Sequence, residues 1–454
     1  MQNQNEVAAV PTKEFFIDML VRDVRLIDAI VDLVDNSVDA ANRLAKGGSL
    51  TGYEIRISLS GKEFLIEDNC GGMTVNAARH YAFCFGRHHN DPELRELDVD
   101  GATAIGQFGV GMKRTIFKLG RFFKVSSVTT SSRFTIEQDV DEWLADHNTN
   151  WHFKFSEVEE NRPQTGPFGT TLRVTRLNKV AAEELQTENF GIALAEKVKS
   201  AVPGALAAGL SLFINGTRIS ANVAELLSSR DIQPSSKNVT IRVPGKGTVE
   251  LRLIAGILKP PGDTVERGLR DGGWYIFCNN RQIVAADQSA LTGWGTRSMV
   301  QYHPDYAFFR GYAFFSSDVG SILPWTTTKN GVDSDSPVFR QGMLEATDVM
   351  RPVIDFLKSL AKERTLKNRD EIEETPLLTA LATATARPLT EIPAEAAFKS
   401  PDPKFSAPAE RTITRIQYDA NLKDYENVRR KLRAKSKTEV GLKTFQYYVD
   451  MECE

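Results

Sequence analysis

Two carboxylates and an amide, Asp28, Asp32 and Asn36, stand at four-residue spacing in an otherwise apolar stretch. Around them Leu26, Ile27, Ile30, Val31, Leu33, Val34 and Val38 recur at helical intervals, and no glycine or proline interrupts them. Residues 26–40 therefore read as a largely buried helix. Residues four apart share a helix face, so the three polar groups form one stripe on an apolar rod. Burying them without a partner costs roughly several kcal/mol, so a cation or a hydrogen-bonding ligand must meet the stripe. Asn36 offers a hard amide oxygen, which suits magnesium when phosphates and waters complete the shell.

Two glycine-bearing turns have to reach the same place. Asp68 follows a strand pattern and precedes Gly71 and Gly72. Its carboxylate can accept from an exocyclic amine, while the glycines let a planar base lie close to the chain. Gly106, Gly109 and Gly111 lead into a helix through Leu119, so backbone amides and the positive helix end converge as a polyphosphate cradle. Lys113 adds a cation there. Alone, a glycine triplet also serves tight turns, an acidic stripe also suits a solvated surface helix, and a lysine also begins helices or pairs with acids. Together the three signals agree on a nucleotide.

The elements that must position these residues follow in order. A chain of 454 residues with an ordinary apolar share can bury more than one core. Its net charge of -3 gives no whole-chain argument for nucleic acid. Cys70, Cys84, Cys278 and Cys453 are widely separated and read as reduced thiols rather than a zinc site. The first residues lack the pattern of a signal peptide, and no apolar run approaches the roughly 20 residues of a membrane span, so a soluble cytoplasmic protein is expected. His88 and His89 lie in a polar stretch, residues 86–104, and read as solvated.

Helical spacing covers 13–24, 26–40 and 77–85; strand alternation covers 53–59, 63–66, 122–128, 134–138 and 169–174. Hairpin joins dominate, which predicts helices packed on one mixed sheet in a first α+β domain, 1–178. A helix over 187–202 and strands over 211–214, 238–243, 249–258 and 273–278 begin a second α+β domain, 180–370, with Asn279-Asn280 as a hairpin turn. Prolines 388, 393, 401, 403 and 408 mark residues 386–410 as an extended linker. The small tail, 411–454, reads as a strand over 412–418 and two helices, with Arg429, Arg430, Lys431, Arg433, Lys435 and Lys437 clustered. A ribbon-helix-helix DNA-binding unit and a plain protein-interaction module both fit that pattern.

Asp32 to Ala40, Glu67 to Thr74, Ile105 to Lys113 and Gly169-Thr170-Thr171 resemble the successive motifs of the GHKL ATPases. This superfamily includes type II topoisomerases, the ninety-kilodalton heat-shock chaperones, histidine kinases, MutL-type mismatch-repair proteins and the MORC ATPases. The resemblance spans nearly the whole first domain and implies a Bergerat-type ATP-binding sandwich. It also implies magnesium on Asn36, an adenine contact at Asp68 supported by Thr170, with Gly72 and Met73 beside it, and a phosphate lid from Gly106, Gln107, Phe108, Gly109, Val110, Gly111 and Lys113. Two departures stand out. Asp32 occupies the place of the usual catalytic glutamate, one methylene short, and Cys70 replaces the usual first glycine of the second motif.

The second domain resembles the transducer that follows the ATPase core in chaperone, mismatch-repair and MORC-type members. It implies that Lys329 reaches the terminal phosphate. An ATP-gated homodimeric clamp, MORC-like and acting on DNA, is the leading expectation. A chaperone-like protein remodeller, or a nucleotide-sensing scaffold with little hydrolysis, is the alternative.

Overall fold

The computed structural model describes residues 11–85, 110–146, 151–221, 223–258, 270–296, 299–326, 328–405 and 416–453. Gly106, Gln107, Phe108 and Gly109, with His88 and His89, lie outside the described residues. The chain divides into two compact units, Met1–Lys362 with Pro376–Pro403, and Glu363–Thr375 with Lys404–Glu454.

The first unit holds an eight-stranded mixed sheet. Its strands are β1 (Glu54–Leu59), β2 (Glu63–Asp68), β3 (Gly120–Val128), β4 (Arg133–Asp139), β5 (Phe155–Glu159), β6 (Gly169–Leu177), β7 (Ser211–Ile214) and β8 (Thr217–Arg218). They lie in the order β5-β4-β3-β6-β2-β1-β7-β8, antiparallel except for the β1–β7 pair. Ile55, Ile57 and Leu59 of β1 are buried while Arg56 and Ser58 are exposed, the alternation of a sheet covered on one face.

Three helices supply much of that cover: α1 (Lys13–Arg22), α2 (Leu26–Ala45) and α3 (Gly111–Leu119). Thr12 caps α1 by accepting from the Phe15 amide. α2 ends where Lys46 turns left-handed at φ 48°, before Gly47 and Gly48. Thr115 Oγ1 donates to the Ala29 carbonyl at 2.6 Å, which fixes α3 beside α2. The helical pattern over 77–85 is divided in the fold into a short turn, Val75–Ala77, and a wider one, Ala78–Ala82.

A second sheet in the same unit contains β10 (Ser235–Val243), β11 (Gly247–Ile257), β12 (Gly273–Cys278), β13 (Arg281–Asp287) and β14 (Phe309–Ser316), ordered β10-β11-β14-β12-β13. The helix α4 (Glu188–Ala201) precedes it, and the long helix α5 (Pro337–Asn368) follows. The chain is thus α+β, with helices on mixed sheets. No helix among the described residues is long and apolar enough to cross a membrane.

Two boundaries differ from the sequence reading. β7 and β8 complete the first sheet, so its strands continue past residue 178: Ile55 and Ile57 find parallel partners in Leu212 and Ile214. The proline-rich segment is also less free than a tether. Its strand β15 (Thr385–Pro388) pairs with β9 (Glu225–Ser228), and Leu389 and Ile392 bury against Leu226, Ile254, Phe277 and Tyr312. The apolar pair sets this segment down on the second sheet.

The other unit contains α6 (Leu422–Leu432) and α7 (Lys437–Glu452). Ser436 caps α7 by accepting from the Glu439 amide, and Glu439 accepts from the Lys435 amide, close to a reciprocal capping box. The expected strand over 412–418 lies partly outside the described residues, and Ile416 to Tyr418 carry no regular structure.

Candidate functional site

Along α2, Asp28, Asp32, Asp35 and Asp39 are all buried, whereas Asn36 is exposed. Asp28 accepts from Arg25 Nε at 2.7 Å and faces Lys197 at 3.4 Å, a pairing that occupies it near the helix start. Asn36 makes no side-chain hydrogen bond among the described residues and leaves its amide oxygen open to an incoming ligand.

Asp68 closes β2 and is the hub of a second set. Its Oδ1 accepts from the amides of Cys70 at 2.9 Å and Thr170 at 3.2 Å, and its Oδ2 accepts from Ser37 Oγ at 2.7 Å. Burial raises the Asp68 carboxyl above its ordinary range, opposed by the Ser37, Cys70 and Thr170 donors. Ser127 Oγ accepts from the Met73 amide at 2.8 Å and lies 3.0 Å from Thr170 Oγ1. Gly71 and Gly72 adopt left-handed backbones at φ 86° and 69°, and a Cβ on Gly72 would come within 2.3 Å of the Val128 carbonyl oxygen. The turn therefore needs glycine there. The Cys70 thiol is buried and pushed far up by burial, the setting of a small packing side chain.

Asp32 and Asp35 meet three cations brought from three elements. Arg114, on α3, donates to Asp32 Oδ2 at 2.5 Å. Lys329 places its ammonium 3.1 Å from Asp35 Oδ2 and 3.8 Å from Asp32 Oδ1. Arg281, at the start of β13, has its Nε 3.6 Å from Asp35 Oδ2. All five side chains are buried. Burial pushes the Asp32 carboxyl up and Asp35 adds to this, while Lys329 and Arg114 pull it down.

Local structure explains how the distant cations arrive. Asn279 and Asn280 have φ of 46° and 63°, the two left-handed residues of a tight hairpin turn. Asn279 is locked to Ser317 by two hydrogen bonds, of 3.1 Å and 3.0 Å. Arg281 is the next residue. Lys329 sits at φ 53° in a loop closed by Thr326 N to Gly331 O and Lys329 N to Thr326 O.

Lys113, expected from the sequence as a phosphate contact, has partners within the protein. Its ammonium donates to the carbonyls of Ala82 at 2.7 Å and Cys84 at 2.6 Å, so it closes the helical turn that follows the Asp68 motif. Gly111 lies against Asp32: a Cβ there would stand 3.3 Å from the aspartate's Cβ and Oδ2. Val110, half-buried, precedes it at the start of α3.

The residues present fit a magnesium nucleotide. Asp32 and Asp35 face Arg114, Arg281 and Lys329, which leaves an excess of positive charge in a buried cluster, the sign that phosphate requires. Arg114 Nε, Arg281 Nε and Arg281 Nη1 are buried without hydrogen-bond partners. Among the described residues no group of three or more His, Cys, Asp or Glu side chains could hold a metal. Asn36, exposed on α2, is the residue present whose amide oxygen could join phosphate and water oxygens around a magnesium ion.

Arg114, Arg281, Asp35, Ser37 and Ser127 are absent from the sequence-derived set. The hairpin signal Asn279-Asn280 pointed to the turn that delivers Arg281, and Arg114 directly follows Lys113. Neither spacing shows which acid the arginine meets.

Residues 24–165 match the family model described as histidine kinase-, DNA gyrase B-, and HSP90-like ATPase. This part of the chain is a GHKL-type ATPase domain, and it holds the motifs around Asp32, Asn36, Asp68 and Gly111. No curated protein matches the chain.

Proposed function

We propose that this chain binds magnesium ATP in the hollow bounded by α2, the Asp68 turn and α3, and that the second sheet senses its terminal phosphate through Lys329. The carrying observation is the Lys329 ammonium, 3.1 Å from Asp35 and 3.8 Å from Asp32 on the nucleotide-facing helix. Asp68 accepts from the adenine amino group, with Gly72, Met73 and Thr170 shaping its surroundings. Asn36 ligates magnesium, which when bound supplies charge neutralisation at the phosphates. Asp32 serves as the base for an attacking water, and its shorter side chain makes turnover slow.

Two chains meet as a MORC-like clamp when nucleotide engages both sheets, since a ligand that contacts both favours the closed form by its differential affinity. DNA is the client in this reading, through the exposed basic cluster of the tail. A protein client is the second reading, favoured by the exposed Leu442, Phe445, Tyr447, Tyr448 and Met451 on α7. The engagement of Asp32 by Arg114 at 2.5 Å favours a third, a nucleotide-sensing scaffold that scarcely turns ATP over.

Equilibrium titration with ATP and ADP, followed by light scattering with a non-hydrolysable ATP analogue, tests the leading reading. It expects ATP to bind more tightly than ADP and the mass to double. A chain that binds neither nucleotide ends it. Phosphate release unchanged by Asp32→Ala would instead favour the scaffold.

A further inference from the structure

Asp35 and Arg281 carry complementary unmade hydrogen bonds. Asp35 is fully buried, and its Oδ1 has no hydrogen-bond partner. Its Oδ2 is taken by Lys329 at 3.1 Å. Arg281 is 1% exposed, with its Nε 3.6 Å from that same oxygen, just past bonding distance. Its Nε and Nη1 are also unpartnered. A guanidinium fork and a carboxylate with a vacant oxygen thus face one another at a small remove, one shift from the two-pronged geometry that suits this pair.

Lys329 is what occupies the carboxylate in their place. If Lys329 is to contact a terminal phosphate, it must leave Asp35, and the departure would strand a buried charge. Stranding is what makes such a pair costly to break. Arg281 stands where that cost can be removed. Its backbone is held by the Asn279-Asn280 turn and the two Asn279–Ser317 bonds, so a small side-chain movement suffices.

We propose that Asp35 exchanges partners when nucleotide binds: Lys329 passes to the terminal phosphate, and Arg281 closes onto Asp35 as a two-bond pair. Arg281 is then a positioning residue that acts through Asp35 to free Lys329, and the second sheet supplies both the released cation and its replacement. The inference rests on Lys329 as the phosphate sensor. It adds a reason for Asp35, and it accounts for unsatisfied groups that a static ion cluster would leave unexplained.

The test is equilibrium titration of the full chain with magnesium ATP and magnesium ADP, with thermal melts as a measure of folding. Arg281→Gln should weaken ATP about tenfold, the usual scale of a coupling free energy, and leave ADP unchanged. Adding Asp35→Asn removes the carboxylate that holds Lys329 back, and the double variant should recover ATP affinity to within about threefold of wild type. Parallel losses for ATP and ADP in Arg281→Gln, or a double variant as weak as the single one, would overturn the exchange.

If Arg281→Gln melts before it can be titrated, Arg281→Lys keeps the charge but cannot form the fork. A loss for ATP alone then supports the exchange, and unchanged ATP affinity refutes it. A wild-type chain that binds ATP and ADP equally would remove the sensor reading of Lys329, and one that binds neither would remove the nucleotide reading. Both results differ from a failure confined to Arg281.

Discussion

Lys329 Nζ and Asp35 Oδ2, from residues 294 positions apart, lie 3.1 Å from each other in the buried interior. The contact ties the loop after β14 to the helix that carries Asn36. Its distance from water gives it weight, because a charge-assisted hydrogen bond in a buried site is stronger than one at the surface. It also joins α2 to a loop that the matched ATPase segment, 24–165, does not include.

Replacing Lys329 should therefore separate the two nucleotides. Lys329→Met is expected to lower ATP affinity by roughly tenfold or more, the scale of one lost hydrogen bond to a charged group, and to leave ADP nearly unaffected. Calorimetric titration reads both constants. An equal fall for ATP and ADP would mean that the lysine only supports the fold.

The Asp32–Arg114 pair makes a prediction about stability. Both side chains are under a tenth exposed, so solvent screens the interaction little. Arg114→Leu leaves the Asp32 carboxylate with Lys329 at 3.8 Å as its nearest cation among the described residues, and should cost about 3–5 kcal/mol. Coupling Asp32→Asn to Arg114→Leu should restore most of that loss, as read from urea midpoints at unchanged slope. A single-variant cost below about 1 kcal/mol would show that the pair does not organise α2 against α3.

The proposed adenine contact at Asp68 predicts that nucleotide binding depends on pH. The ionised carboxylate is the stronger acceptor for an amino group's hydrogen bond, and burial raises this carboxyl above its usual range. Affinity for a fluorescent ATP analogue should accordingly fall on acidification, starting at a higher pH than an ordinary aspartate would allow. Ser37→Ala removes a donor that favours the ionised form, so its acid limb should move further up. A limb that stays in place in Ser37→Ala would remove Asp68 as the titrating group.

The parts of this fold that were readable in advance are those with short-range causes. The α2 pattern carries its apolar repeat and its polar stripe within twenty residues, and the Asn279-Asn280 turn announces itself through two residues that tolerate left-handed backbones. Asp32, Asn36, Asp68 and Gly111 were legible as candidates from their motifs, and Lys329 from the resemblance of the second domain to a transducer. Arg281 was not, since its meaning depends on Asp35, almost 250 positions earlier on an order-of-magnitude view of chain separation. The partners of Lys113 were hidden for a related reason: a cation at a helix start says nothing about the Ala82 and Cys84 carbonyls that receive it. The last two strands of the first sheet, β7 and the edge strand β8, are short, and periodicity alone could not assign them to the first sheet rather than the second.

Two glycines with nearly the same backbone allow space and conformation to be separated at the Asp68 turn. Gly47 has φ of +76° with nothing within 4 Å of an added Cβ, whereas Gly72 has φ of +69° with the Val128 carbonyl oxygen 2.3 Å away. Alanine at Gly47 should thus cost about 1–2 kcal/mol, the left-handed penalty alone. Alanine at Gly72 carries that penalty and must also displace β3 at Val128, beside the Ser127 hydroxyl that binds the Met73 amide and touches Thr170. Gly72→Ala should consequently lower the melting temperature more than Gly47→Ala and, unlike it, weaken ATP and ADP together, because both share the adenine end. Equal effects of the two substitutions on nucleotide affinity would detach the Gly72 turn from the base pocket.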